Sequence, residues 1–360
     1  MTLETKIQKV LGTTRDVLRD CALENGAIVG ANTDKSYTPR EAANYRAIWP
    51  RDAAFVCVAA EHLDLPIQEP FFAWLHDRPE DFKKEGVLFQ NYSTNGRKLG
   101  WQFQPDQAGT VLWAIHEHFR NAPDRARPYH DLIKRLADGI AQAWGGRYFV
   151  RNSVDLWEDQ ARQTSSIMEN NFTYSLASCG RGLILANELV PNHFWKETAM
   201  QMLHEIDEAY HEDAGYIVRN HGRISDVNID ASLLGLVYPF EIYAPNDTRI
   251  AKTIQRMEER IVTNGGVHRF EYDYYDGEGS AMEGGGAWPL LNFWMSIVWA
   301  RAGYRDKALT YYTWVLDRVV DQYHGYLPEQ LFEDFRRGIY PLAWAHAMFV
   351  LATHELQLLP

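Results

Sequence analysis

Connection length is the feature of this chain that most limits its fold. Apolar residues recur three and four apart along it, as at Val111, Ile115 and Phe119 or at Leu342, Ala345 and Phe349, and this spacing marks helices. Helices are predicted at about 3–23, 50–63, 67–77, 105–122, 127–143, 170–188, 192–210, 228–237, 246–261, 286–303, 305–321 and 339–356. Tight turns join the second to the third, the fourth to the fifth, and so on. The other connections are long: 24–49, 78–104, 144–169, 211–227, 262–285 and 322–338. Irregular segments of that length are uncommon in a compact domain unless they carry function. In an up-and-down array every second connection falls on the same side, so the six long ones would gather at one end. That is the layout of an all-α (α/α)6 barrel, an inner ring of helices inside an outer one. It predicts a single domain over 1–360, since no Pro/Ser-rich linker or low-complexity tract interrupts the chain. The alternative is an open helical array.

Charge narrows the ligands. The chain carries 36 Lys and Arg against 48 Asp and Glu, a formal net charge of −12, and no basic stripe. Polyanion binding needs clustered cations, so nucleic acid is excluded as an expected partner. Three scattered cysteines, Cys21, Cys57 and Cys179, fit neither a disulfide framework nor a zinc site. No run approaches the ~18 apolar residues of a membrane span, and the first residues lack a signal-peptide core. A cytoplasmic location without membrane association is expected. No metal and no cofactor are expected either. His116 and His118, two apart on a helix, point to different sides, and Asp273 to Glu278 lacks calcium-loop spacing. The oligomeric state stays open.

The long connections hold the residues with chemistry. In the third, Asp155-Leu156-Trp157-Glu158-Asp159 sets a carboxyl beside an indole, where desolvation favours the neutral acid. The sixth holds Tyr326-Leu327-Pro328-Glu329-Gln330. Two carboxyls in one pocket, one protonated and one ionised, are the minimal equipment for cleaving a glycosidic bond. Glu158 is the candidate acid and Glu329 the candidate base that activates water. Around them, Tyr45, Trp49, Arg51 and Asp52 precede and open the second predicted helix. Arg51 and Asp52 offer a donor fork and a two-oxygen acceptor suited to sugar hydroxyls. Trp101, Gln104 and Asp106 precede the fourth helix, where Gln104 and Asp106 read equally as caps or hydroxyl ligands. Leu156, Trp157 and Asp159 flank the acid. Arg269 is a candidate clamp on hydroxyls, and Trp288 follows a glycine-rich segment, 277–286, read as a lid or turn without the Lys and Ser/Thr of a phosphate loop.

In this order the chain resembles glycoside hydrolase family 15, the glucoamylase family. The residues that carry the resemblance are Tyr45…Trp49-Pro50-Arg51-Asp52, Trp101…Gln104-Pro105-Asp106, Asp155-Leu156-Trp157-Glu158, Arg269…Asp273-x-Tyr275, Pro328-Glu329-Gln330 and Gly338…Pro341-Leu342-Ala343-Trp344-Ala345-His346-Ala347. The resemblance implies that Glu158 is the general acid and Glu329 the general base. It also implies that Arg51 and Asp52 grip the terminal glucose, that Arg269, Leu156 and Trp157 line the first two subsites, and that Tyr45 lies near the reacting carbon. Its implied activity is an inverting, exo-acting α-glucosidase that releases β-glucose. Inversion needs room for a water and hence a carboxyl separation of roughly 6.5–9.5 Å.

Two departures bear on substrate. Asp159 stands where family members commonly have Glu, and the stretch from Gln160 to Asn170 is longer than the usual turn. Both border the leaving-group side, so isomaltose-type, maltose-type and trehalose linkages all stay open. No N-terminal β-domain of the kind many bacterial relatives carry is expected, and short oligosaccharides are the expected substrates. Two other readings compete: a non-catalytic glucoamylase-like sugar-binding or regulatory protein, and a sugar epimerase on the same barrel. The first should have lost a carboxylate. The second should use paired loop histidines as proton carriers.

Overall fold

A helix that is apolar all round must be enclosed by protein, whereas one with a single apolar stripe lies at the edge of the core. The computed structural model, which describes residues 1–159, 162–223, 225–273, 285–333 and 339–359, sorts its helices in this way. They are α1 (Leu3–Cys21), α2 (Pro50–Glu61), α3 (Gln68–Asp77), the one-turn α4 (Phe82–Glu85), α5 (Pro105–Phe119), α6 (His130–Ala143), α7 (Thr173–Leu189), α8 (His193–Asp207), α9 (Thr248–Arg260), α10 (Pro289–Arg301), α11 (Arg305–Gln322) and α12 (Ala343–Glu355). In α10 every residue from Pro289 to Val298 is buried, and in α12 every residue from Ala343 to Thr353. In α9 only Ile250, Thr253, Ile254 and Met257 are buried, a single stripe.

The enclosed helices form a closed ring. α2 packs on α5, α5 on α7, α7 on a 3-10 turn (Ala231–Leu236), that turn on α10, α10 on α12, and α12 back on α2. Outside them, α1 lies on α12, α3 on α2, α6 on α5, α8 on α7, α9 on the 3-10 turn and α11 on α10. The predicted (α/α)6 barrel is the observed fold. α5 and α7 meet at Gly109 and Gly182, because a Cβ on Gly109 would lie 2.4 Å from the Ser178 carbonyl oxygen.

Three predicted elements differ. The helix expected at 228–237 is the six-residue 3-10 turn, started by the Asp230 cap on Ser232 and stopped ahead of Pro239, whose predecessor is driven from helical geometry. The helix expected from 170 begins at Thr173, because Asn170–Phe172 pairs as a strand with Asn220–Gly222. The helix expected from 339 begins at Ala343, just past Pro341. The long connections also hold small antiparallel ladders, Ser153–Val154 with Gln163–Thr164 and Val262–Thr263 with Gly266–Val267, which brace them.

Every inner helix starts after a long connection, so the inner N-termini share one end of the barrel. α2, α5 and α10 open on Pro50, Pro105 and Pro289 at a position where the missing N–H costs nothing. Their N-cap residues, Trp49, Gln104 and Trp288, make no side-chain cap. The helix dipoles give this end a positive bias, and the Arg51 N–H is taken by Gln107 Oε1 at 2.6 Å. At the opposite end a cavity of about 290 Å3 holds Arg120, Arg181 and Arg301. Glu117, Glu241 and Glu355 already pair with them, so it reads as a charged seal on the barrel axis.

Candidate active site

A cavity of about 590 Å3 opens at the N-terminal end of the inner ring. The first long connection and α2 supply Tyr45, Trp49, Arg51 and Asp52, and the third supplies Leu156, Trp157, Glu158 and Asp159. The fifth supplies Arg269 and Trp288, and the sixth supplies Glu329. Both candidate catalytic carboxyls therefore line one space.

Glu158 is aimed by its turn. Asp155 Oδ1 accepts the backbone N–H groups of Trp157 and Asp159, each at 3.1 Å, and the Asp155 carbonyl accepts that of Glu158, also at 3.1 Å. This clasp holds Glu158 at φ 63°, a left-handed conformation unusual for a residue with a Cβ. The Trp157 indole N–H donates to Asp230 Oδ1 at 2.9 Å, anchoring the turn to the 3-10 cap. Gln90 donates to Glu158 Oε2, while Oε1 is buried with no hydrogen-bond partner among the described residues.

Glu329 is held differently. Its N–H donates to the Ile339 carbonyl at 2.7 Å, and Leu331 exchanges two backbone bonds with Ala287. The Tyr45 hydroxyl donates to Glu329 Oε1. Two further lining residues are arginines held in pairs. Arg269 makes a bidentate pair with Asp273, both bonds 2.7 Å, and its guanidinium sits 4.8 Å from the Trp288 ring and 5.7 Å from that of Trp157. Arg51 pairs with Asp52 at 3.1 Å and lies over Trp344 at 5.1 Å.

Three predicted residues do not line the cavity. Trp101 is 69% exposed on a separate shallow cleft with Phe89 and Phe103. Gln104 is fully buried, donates to the Asp155 carbonyl at 2.7 Å, and so braces the Glu158 turn from behind. Asp106, also fully buried, pairs with Arg51 at 3.2 Å. Neither side chain makes a capping hydrogen bond to α5, although Gln104 holds the N-cap position. Lining residues that the sequence pattern did not point to are Gln90, Arg162, Phe270, Tyr272, Asp273, Leu342 and Trp344. Asp273, Leu342 and Trp344 lie inside the motifs quoted for the family resemblance, but Gln90 and Arg162 have no local signal. Most of the 277–286 segment lies outside the described residues, as do Tyr275 and Gly338. Gly286 N donates to Gln330 Oε1 at 2.9 Å.

Burial dominates the electrostatics. It pushes the Glu158 carboxyl up to about 7, against the pull of Arg51 and the Gln90 hydrogen bond. Glu329 also rises to about 7 by burial, against the Tyr45 hydrogen bond and Arg269. Asp52 rises to about 6, again chiefly by burial. Since 4.5 is the ordinary value for both glutamates, the folded chain holds their protons more tightly than the unfolded chain. Their contribution to stability is complete below pH 4.5 and is lost as pH rises to 7. The double variant Glu158→Gln/Glu329→Gln should therefore gain melting temperature over wild type as pH climbs through that window. The gain is on the order of 2 kcal/mol per carboxyl after allowing for partial solvent access. Parallel melting-temperature curves from pH 4.5 to 8 would contradict it.

Arg51, Arg162 and Arg269 face Asp52, Glu158, Asp159, Asp273 and Glu329 in the cavity, an acidic balance that suits neutral polyhydroxylated ligands better than anions. Among the described residues, no group of three or more His, Cys, Asp or Glu side chains is placed to hold a metal ion. No described helix is long and apolar enough to cross a membrane.

Comparison with known proteins points to the same chemistry. The chain is 26% identical over 336 residues to an uncharacterized glycosyl hydrolase of Methanocaldococcus jannaschii, covering 87% of this chain and 51% of that one. It is 27% identical over 306 residues to an isomaltose glucohydrolase of Kribbella flavida, covering 79% and 73%. To a trehalase of Sulfolobus acidocaldarius it is 24% identical over 275 residues, covering 73% and 43%. The chain thus spans about half the length of the Methanocaldococcus relative. Among solved structures, a wild-type glycosidase shares the fold with a TM-score of 0.80 at 22% identity, covering 99% of this chain and 98% of that one. A bacterial glucoamylase complexed with acarbose does so at 0.76 and 20%, covering 96% and 55%. The model of the glycosyl hydrolases family 15 matches residues 83–329, a stretch that starts before Gln90 and ends on Glu329, and the chain belongs to that family of glycosidases.

Proposed function

We propose that this chain is an inverting, exo-acting α-glucosidase that releases β-glucose from the non-reducing end of short α-glucosides. Glu158 is the general acid and Glu329 the general base. The observation that carries the reading is the shared cavity, in which each carboxyl takes its hydrogen bond from a different residue, Gln90 or Tyr45. Burial raises both glutamates to about 7. Each has an arginine and donors that favour its ionised form, Arg51, Gln90 and Trp49 for Glu158 and Tyr45, Arg269 and Gln330 for Glu329, so electrostatics leave them equivalent. The roles are taken from the resemblance to family 15. Glu158 Oε1, which accepts no bond of hydrogen-bond geometry among the described residues, is an oxygen on which the proton can reside.

In the reaction, protonated Glu158 gives its proton to the glycosidic oxygen as the bond from that oxygen to C1 breaks. A water held by Glu329 attacks C1 from the opposite face and loses a proton to Glu329, leaving β-glucose and a free alcohol. Arg51 and Asp52, on the first turn of α2, are the groups placed to grip the terminal sugar. A floor built from the starts of α2, α10 and α12 fits attack at a chain end. Trp157 and Trp288, with ring centroids 6.0 Å apart, offer apolar faces to a sugar. The names of two relatives make isomaltose and trehalose the first substrates to try, with maltose beside them. Proton NMR of the fresh products should show the β-anomer of glucose ahead of mutarotation. Initial release of α-glucose would overturn inversion, and no glucose from any disaccharide in the panel would overturn the glucosidase reading.

A further inference from the structure

We propose that His346, which lies outside the cavity, is a positioning residue for Glu329: in one fixed neutral tautomer it ties α1 to the segment that carries the candidate base. The inference rests on the proposed role of Glu329 as the base.

His346 and Thr14 are both fully buried. The Leu327 backbone N–H donates to His346 Nε2 at 3.0 Å, so that nitrogen carries no proton. The single proton of a neutral ring is then on Nδ1, where it donates to Thr14 Oγ1 at 2.7 Å. A doubly protonated ring would set its Nε2–H against the Leu327 N–H. Burial independently drives the ring down to about 3, which agrees with a ring that stays neutral.

This contact matters because Leu327 leads straight into the candidate base. The Leu327 carbonyl accepts from Leu342 N at 2.8 Å, so both backbone groups of this residue are tied to the start of α12. Two residues later the Glu329 side chain enters the cavity, and at Leu331 the chain is fastened again, to Ala287. Glu329, whose own N–H is tied to Ile339, thus lies between two further clamps, and His346 closes the first. Removing its acceptor strands a buried N–H, which the segment can satisfy only by moving. The groups placed to grip the sugar, Arg51, Asp52 and Arg269, stand on other segments. A fault in the clamp should therefore appear in turnover rather than in substrate binding.

The test uses the full chain and whichever disaccharide of the panel it cleaves best. Asn at 346 is too short to reach Leu327, whereas Gln can present a carbonyl oxygen near the place of Nε2. His346→Asn is expected to lower kcat about 10- to 100-fold with KM within about threefold, and His346→Gln to recover most of the loss. Thr14→Val, which leaves the ring in place but removes the partner of Nδ1–H, should also lower kcat, while Thr14→Ser should not. If the Asn variant fails to fold, the Thr14 pair carries the test alone. Wild-type kcat in a folded His346→Asn or Thr14→Val variant overturns the proposal. So does a Gln variant as slow as the Asn variant at equal melting temperature. Glu329→Gln separates the two claims. If it turns over like wild type, the base reading falls and this proposal with it. If it is inactive while the His346 and Thr14 variants are unaffected, only this proposal falls.

Discussion

Glu158→Gln is expected to lower kcat on a disaccharide by about 10²- to 10⁴-fold, the range that a positioned general acid contributes. The amide has nearly the shape of the acid and can keep the contact with Gln90, but it has no proton to give. The loss should depend on the leaving group. A sugar alkoxide needs protonation as it departs, whereas fluoride or a nitrophenolate does not. On α-glucosyl fluoride or a nitrophenyl α-glucoside the variant should therefore stay within about tenfold of wild type. Equal losses on all these substrates would remove Glu158 from the role of acid. Its alkaline limb reports the same group: burial sets the Glu158 carboxyl at about 7, so the wild-type rate should fall above that pH as the acid ionises.

Glu329→Gln should be as damaging, about 10²- to 10⁴-fold, but without regard to the leaving group. Water must be deprotonated whatever departs, so glucosyl fluoride should be no better a substrate than a disaccharide. The variant should bind substrate normally, because Arg51 and Asp52 are unaltered, and KM should change little. A Glu329→Gln enzyme that recovers on fluoride would exchange the two roles, with Glu329 as acid. The Tyr45 hydroxyl serves the same carboxyl by donating to Oε1 and favouring its charged form.

The ring of helices was legible because helical periodicity and connection length are local properties. The structure adds which helices are inner, since α12 is buried from Ala343 to Thr353 and α9 only along a single stripe. The one inner element that failed to be an α-helix, Ala231–Leu236, is six residues long and lies between its Asp230 cap and Pro239. Over so few residues the periodic signal cannot tell a 3-10 turn from an α-helix.

The site divides along the same line. Glu158, next to Trp157, and Glu329 are carboxyls beside large apolar groups in long connections, a pattern visible in the chain but weak among 48 acidic residues. The ring layout and the resemblance to family 15 singled them out. Gln104 and Asp106 look like Arg51 and Asp52 in the sequence, since each pair adjoins a proline that opens an inner helix. Only the packing separates them. Arg51 turns its guanidinium toward the cavity, while Asp106 is the counter-ion behind it and Gln104 supports the Asp155 turn. Gln90 and Arg162 reach the cavity through the folding of loops, which no spacing rule encodes.

Residue types, their periodicity and the length of each connection thus determined the ring and the end of it that holds the candidate site, because these properties reside in near neighbours along the chain. The protonation of Glu158 and Glu329, the donor each one meets and the tautomer of His346 depend on residues tens or hundreds of positions away. Desolvation and hydrogen bonding act through space, and only the tertiary structure brings those groups together.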